Sequence, residues 1–575
     1  LELPPALTGQ TRWTVRGQAT GGAEHPIGWP AVPDQWLGIG DGAVVAARDA
    51  KGRVELTEAA RVLIADRVTV AGLDLTLEGR WLAAEPPLDA RITLVGPKAE
   101  LPGVIDPTAP DGTVRVRFVL ESDPWGLGPM PVPHGWYWFK VASPQGPVPT
   151  PLGDEAIDQL HRFQVDEQYT SRVVRAGREA GVELTRPLAE DRPPYAQWQL
   201  ELMACEGEIP LEEDAVYFQV YGGSSASDSQ LAIHEELRRV RPELKLYWGV
   251  LGSSSWVPEG GIPVPINSRE YYRVLASAKY LCMNVDPPRW FDRRPGQKLL
   301  QTFHGYPSKS MGLRMWRAKH YTPRRIALDL HRTSGEWDLI LTPAPEMDEY
   351  YRREYAYDGP IHSAGYPRDD LLVSDRAGAV REDTRRRLGI RPEQKVVLYA
   401  PTWRDDLASS WGNAEMVQHL DLEAASRALG PDYVLLMRGH RFHTAAAALP
   451  GTAATARFLD VTDYPEINHL ILASDAAVLD YSSLRFDFAL TMRPMVFLVP
   501  DLDTYVGGVR GFLYDYRDSA PGPLVDTAEE AVRLLRDLPG LQRRCAPELE
   551  RFHEKYNYLQ DGHAAERVVR AFFTD

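Results

Sequence analysis

Cysteine is scarce in this 575-residue chain, and Cys205, Cys282 and Cys545 lie far apart. A disulfide framework and a cysteine metal cluster are therefore excluded, and a reducing compartment is expected. Long hydrophobic runs are missing too. No window approaches the ~18 consecutive apolar residues of a membrane helix. The chain opens with Leu1, then Pro4 and Pro5, without the basic and apolar segments of a secretory signal, so none is expected. It lacks an initiator methionine, which suggests a trimmed chain or a fragment of a longer one. Excess positive charge is also absent. Asp and Glu number 80 against 64 Lys and Arg, and the net charge of -16 argues against nucleic-acid binding.

What is present is ordinary globular composition, 44% hydrophobic and 25% charged. At about 150 residues per domain, roughly four units are expected. Residues 1–150 are rich in proline and glycine, with short alternating runs at 52–56, 62–70, 73–77, 113–120 and 136–141. Period-two alternation closed by Gly, Pro and Asp turns predicts a β-sandwich-like domain. Residues 151–212 read as a further β-rich region, with candidate runs at 163–184 and 195–202, either completing that domain or bridging to the next. Exposed aromatics there would suit a carbohydrate platform, although core or interface packing is the commoner use.

From about residue 213 the pattern changes to strand, turn, helix. Strands are predicted at 215–220, 245–250, 280–285 and 298–303, and Ser268 is positioned to cap a helix. A second α/β series begins near Ile361, with strands at 396–400, 433–437, 457–459, 476–479 and 495–499. The expected units are thus an α/β domain at 213–355 and another at 356–575, each with a mostly parallel sheet. A ligand cleft is expected at the carboxyl ends of those strands.

Four loops after strands carry the candidate chemistry. His304-Gly305 follows the strand ending at Phe303, and imidazole is the side chain suited to taking a proton near neutrality. From His304 to Arg325 there are six Lys or Arg residues, Lys309 among them, and no Asp or Glu. Such a stretch fits phosphate or a solvated basic helix equally. In Pro401-Thr402-Trp403-Arg404, Thr402 and Arg404 are possible phosphate donors or simple loop residues. Arg438-Gly439-His440 pairs a cation with a second histidine, which could instead satisfy a backbone carbonyl. Ser482 and Ser483 stand where a strand turns into a helix, suited to a phosphate or to ordinary capping. No Gly-x-x-x-x-Gly-Lys-Ser/Thr loop, His-Glu-x-x-His site or serine elbow accompanies them, which disfavours a nucleoside triphosphatase and gives no metal ligands. On the residues alone, the reading is a transferase acting on a phosphate-bearing substrate.

The motif series extends this. Gln301-Thr302-Phe303-His304-Gly305-Tyr306-Pro307-Ser308-Lys309, Gly365-Tyr366-Pro367-Arg368-Asp369, Pro401-Thr402-Trp403-Arg404, Arg438-Gly439-His440, Asp480-Tyr481-Ser482-Ser483 and Arg510-Gly511-Phe512 occur in order. Together they resemble the CDP-glycerol glycerophosphotransferase family, across roughly residues 213–575. Departures are Tyr306 where the family commonly has Thr, Ser308 in place of a usual Leu, and Gly439 in place of a bulkier residue. Residues 1–212 lie outside the resemblance.

The resemblance implies a GT-B pair of α/β domains, with the acceptor on the 213–355 side and the donor on the 356–575 side. It implies transfer of a polyol phosphate, glycerol phosphate first and ribitol phosphate as the variant, from a CDP-linked donor to a hydroxyl of a cell-wall or capsular polymer. CMP is the product. His304 and His440 are the implied catalytic residues, with His304 as base. Lys309, Thr402, Arg404, Arg438, Ser482 and Ser483 are the implied donor-binding residues. No tightly bound cofactor is expected, and divalent-metal dependence and oligomeric state are left open. The acceptor is a polyol-phosphate or glycan polymer, free or lipid-linked, so the expected location is the cytoplasm, with peripheral contact at the inner membrane face. Two other classes fit less of the pattern: a GT-B glycosyltransferase using a nucleotide sugar, and a non-catalytic polymer-binding protein.

Overall fold

The computed structural model describes residues 12–14, 16–18, 24–26, 35–39, 42–48, 53–59, 61–82, 90–110, 112–144, 146–188, 194–252, 254–402, 408–410, 413–414, 419–439, 455–507 and 511–574. The chain divides into two compact units, Leu1–Ala189 with Gly252–Ser254, and Glu190–Leu251 with Ser255–Asp575.

The first unit is antiparallel β structure. Thr113–Val119 alternates strictly between exposed and buried residues and pairs along its length with Asp74–Leu82. Its inward Val114, Val116 and Phe118 meet Leu94, Tyr137, Phe139 and Val182 from a second sheet in one core. This is sandwich packing, as the period-two pattern predicts. Thr170–Ala176 and Glu179–Thr185 join the same sheet as Gly135–Ser143, so the residues just after 150 complete the sheet rather than bridge away from it. The predicted run at 195–202 departs from expectation. It is a helix, Pro194–Glu206, in the second unit. Its Gln, Leu, Glu, Met and Ala residues favour helix, and Pro194 supplies a preset first helical position.

The second unit holds two parallel sheets. The strands of the first are β1 (Glu212–Gln219), β2 (Lys245–Val250), β3 (Gly261–Pro265), β4 (Ala278–Met283), β5 (Lys298–Gln301), β6 (Leu339–Thr342) and β7 (Ile361–Ser363), in spatial order 3-2-1-4-5-6-7. The second contains β8 (Lys395–Ala400), β9 (Tyr433–Met437), β10 (Arg457–Asp460), β11 (Ala476–Leu479), β12 (Met495–Leu498) and β13 (Leu524–Val525), in order 10-9-8-11-12-13. Each order reverses once, between β1 and β4 and between β8 and β11. Such reversals open crevices at the carboxyl ends of the strands. Val396 to Ala400 and all of β9, β11 and β12 are buried, the continuous apolar signature of strands covered on both faces. This is the expected GT-B architecture.

The boundary between the halves differs from the expected 355/356. Ile361–Ser363 is the edge strand of the first sheet, pairing with Leu339–Thr342. A three-residue edge strand carries too little periodicity to be assigned from sequence. The final helix, Ala564–Phe572, returns to the first half, where Val568, Val569, Phe572 and Phe573 share a core with Val216, Phe218 and Ile233.

Candidate active site

β5 ends at Gln301, and a strained turn follows. Phe303 has φ 53, unfavourable for a residue with a Cβ, and Gly305 has φ 146. The Phe303 ring is held among Trp337, Tyr351 and Tyr355, with centroids 5.5, 4.5 and 5.7 Å away. Gln301 Oε1 accepts from the Phe303 N–H at 2.9 Å, and the Thr302 N–H donates to the Met283 carbonyl at 2.9 Å. With its predecessor fixed in this way, His304 stands exposed beyond the sheet.

Its ring is oriented. Nδ1 lies 3.0 Å from the Asn284 carbonyl, at the end of β4, and the ring packs edge-on against Tyr221 at 5.8 Å. A carbonyl can only accept, so Nδ1 carries the hydrogen and Nε2 keeps a lone pair. That is the tautomer a general base requires.

The loop then crosses to the second half. The Leu513 N–H donates to the Ser308 carbonyl at 3.0 Å and the Ser310 N–H to the Gly511 carbonyl at 3.2 Å, with Lys309 bridged to Phe512. Tyr514 donates its hydroxyl to the Pro307 carbonyl at 2.8 Å. Tyr306 stacks on Phe486 at 4.1 Å and 5°, and burial pushes its phenol pKa far up. Tyr306 therefore supplies packing between the halves. A Cβ on Gly305 would stand 3.1 Å from Ser483 Oγ, so the His304 loop lies directly against the Ser482-Ser483 turn.

In the second half, the Thr402 N–H lies 2.9 Å from both Asp480 oxygens, and its hydroxyl also donates to Asp480. Thr402 thus joins the ends of β8 and β11. Ser482 Oγ accepts from the Leu484 N–H at 3.2 Å, whereas Ser483 precedes helix Leu484–Ala489 without a side-chain cap bond. The Lys309 ammonium sits 5.5 Å over the Tyr505 ring, which stacks on Tyr481 at 3.9 Å. Arg438 is held by the Val461 carbonyl at 3.0 Å and by that of Tyr464. Burial lowers its guanidinium pKa, while Glu466 acts in the other direction. His440, Arg404, Trp403 and Arg510 lie outside the described residues.

The structure therefore brings together His304, Gly305 and Ser483, and places Lys309 on the segment bridged to Phe512. Gly511–Leu513, part of the Arg510-Gly511-Phe512 motif and the residue after it, pairs with Ser308–Ser310. Four further residues complete the site: Tyr221, Asp228, Asn284 and Arg368. Asp228 accepts from Tyr221 at 2.8 Å, Asn284 at 3.3 Å and Arg368 at 3.1 Å. Arg368 stands in the Gly365-to-Asp369 motif and Asn284 lies within the strand predicted at 280–285, but Asp228 carries no sequence signal.

The chain matches the family model of CDP-glycerol:poly(glycerophosphate) glycerophosphotransferase over residues 202–574. It is 32% identical over 379 residues to the teichoic acid poly(glycerol phosphate) polymerase of Bacillus subtilis (strain 168), covering 65% of this chain and 50% of that protein. It is 31% identical over 367 residues to the teichoic acid glycerol-phosphate transferase of Staphylococcus aureus (strain NCTC 8325 / PS 47), covering 63% of this chain and 93% of that one. Among solved structures, a variant of the wall teichoic acid polymerase TagF soaked with CDPG superposes with a TM-score of 0.59 at 28% identity, covering 65% of this chain and 92% of that one. The chain spans about half the length of the Bacillus subtilis relative, and Leu1–Ala189 lies before the matched residues. On the match to residues 202–574, the chain belongs to the CDP-glycerol:poly(glycerophosphate) glycerophosphotransferase family.

Proposed function

We propose that the chain transfers glycerol phosphate from CDP-glycerol to a terminal hydroxyl of a polyol-phosphate polymer and releases CMP. The acceptor oxygen forms a bond to the phosphorus bearing glycerol. The bond from that phosphorus to the CMP oxygen breaks, and its electron pair leaves with CMP. His304 Nε2 takes the hydroxyl proton. The observation carrying this reading is the oriented His304 ring on a loop whose next residue, Gly305, lies against Ser483, where loops from both parallel sheets meet. A base and a phosphate-binding loop on adjoining segments would supply proximity and preorganised charge, the main rate factors for phosphoryl transfer.

Ser482 and Ser483 would bind the donor diphosphate, with Lys309, Arg404 and His440 neutralising it. Thr402 would hold its loop through Asp480, and Arg438 would add field from its carbonyl-anchored position. A lipid-linked acceptor would bring the enzyme to the inner membrane face. No helix among the described residues is long and apolar enough to cross a membrane. Helix Pro323–Arg332 has no buried residue, and Leu328 is 42% exposed beside the basic stretch, which supports peripheral contact.

The test is a donor screen, CDP-glycerol against CDP-ribitol and a nucleotide sugar, with short polyol-phosphate acceptors and product mass followed. CMP release with a phosphodiester product from CDP-glycerol supports the reading. A glycosidic product with a nucleoside diphosphate would replace it.

A further inference from the structure

Between the two sheets of the second unit lies a buried cluster of charges that the proposed chemistry does not use. Arg368 is 8% exposed, Asp228 7% and Asp487 3%. The Arg368 Nη1 donates to the His304 carbonyl at 2.8 Å and to Asp228 at 3.1 Å, while Nη2 lies 3.4 Å from Asp487. Asp228 accepts from Asn284, and the Asn284 carbonyl holds His304 Nδ1. His304 is therefore gripped twice, at its backbone and at its ring, and both grips lead to Asp228. The next carbonyl, that of Gly305, accepts from the Tyr366 hydroxyl at 3.3 Å. Residues 366–368 thus hold two consecutive carbonyls of the His304 loop. On its other side, Arg368 reaches the helix that begins just after Ser483, and its own carbonyl accepts from Asn468.

We propose that Arg368 is a positioning residue that fixes the His304 ring relative to the Ser482-Ser483 turn, by holding the His304 carbonyl with one side of its guanidinium and Asp487 with the other. A planar fork is needed, because the two partners lie on opposite halves of the fold and a point charge cannot reach both. Three carboxyl groups surround this one cation. Burial raises the pKa of Asp369, with the Asp487 carboxylate adding to it, and burial also raises that of Asp487 against the pull of Arg368. Both shifts move the cluster toward neutrality, which eases its burial. Arg368 touches no reacting atom and acts through His304.

The kinetic arm of the test rests on the transferase reading above; the spectroscopic arm does not. Full-length protein labelled with 15N-histidine reports the His304 tautomer, its signal assigned by its loss in His304→Ala. The wild type should show the Nδ1–H form. Arg368→Lys, and separately Asp487→Asn, checked by circular dichroism to be folded, should raise the Nε2–H form about fivefold, the change expected for one lost net hydrogen bond. In single turnover with CDP-glycerol, Arg368→Lys should slow CMP release by about 10- to 100-fold. CMP affinity should stay within about threefold. His304→Ala/Arg368→Lys should be no slower than His304→Ala alone. An unchanged tautomer in both folded variants overturns the proposal, as does an additive loss in the double variant. If the wild type releases no CMP from CDP-glycerol, the transferase reading falls and the tautomer still decides the role of Arg368.

Discussion

Replacing Gly305 with alanine should impair turnover more than folding. At φ 146 a side chain is strained whatever the space around it, and residues held in such regions cost about 1–3 kcal/mol. The new methyl would also stand 3.1 Å from Ser483 Oγ. That contact is with the end of one small side chain, and relieving it by a rotamer change costs about 1 kcal/mol or less. Backbone strain therefore dominates. For a unit of this size the loss corresponds to a fall of about 2–5 °C in Tm. The loop can relieve the strain by moving, but its carbonyls at 304 and 305 are held by Arg368 and Tyr366. A shift of ~1 Å at the base costs about 100-fold in rate. Gly305→Ala should thus lose about 10- to 100-fold in single-turnover CMP release, with calorimetry showing only the small Tm change. Adding Ser483→Gly, compared with Ser483→Gly alone, should restore less than about threefold. Full restoration would show that crowding, not backbone strain, sets the cost and would refute the reasoning.

Ser482→Ala/Ser483→Ala should weaken CMP binding by about tenfold or more, the loss of hydroxyl contacts to a charged ligand. Calorimetric titration should find acceptor binding little changed, and the reverse pattern would exchange the two subsites. Burial, with Arg387 adding to it, holds His469 down at about 4 against its ordinary 6.5. Below pH 6.5 the unfolded chain therefore takes up a proton that the folded one refuses. Stability should fall as pH drops toward 4, by at most about 3 kcal/mol, and His469→Gln should flatten the Tm profile over that window. Vesicles of anionic lipid should carry the protein in flotation, and Lys309, Arg314, Arg317 and Lys319 replaced together by Gln should release it. Strong binding that survives those changes would remove the basic stretch as the contact.

Sequence legibility followed burial and locality. Tyr433–Met437 and Ala476–Leu479 run as predicted, because strands covered on both faces read as uninterrupted apolar stretches. The Ser268 cap, accepting from the Tyr271 N–H at 3.1 Å, depends only on neighbours in sequence. By contrast, Gly261–Pro265 carries two prolines and Ile361–Ser363 has three residues, so neither announces itself as a strand. His304 was legible because it follows the end of a strand by three residues. Its support was not: Arg368 stood in a motif, but its partnership with Asp228, Asn284 and Asp487 joins residues spanning 259 positions, which meet only when the two halves come together. Arg438 shows the opposite limit. Its place after a strand is as expected, but carbonyls hold its guanidinium, a partnership that sequence spacing does not reveal.

The most direct test of the account is single-turnover reaction of CDP-glycerol with a short polyol-phosphate acceptor, following CMP and product mass together in the wild type and in His304→Ala. The account predicts one CMP for each glycerol phosphate added, and a loss of about 10²–10⁴-fold in the variant, with donor affinity within a few-fold. A loss of less than about threefold in folded His304→Ala would contradict it, because an essential general base cannot be removed so cheaply.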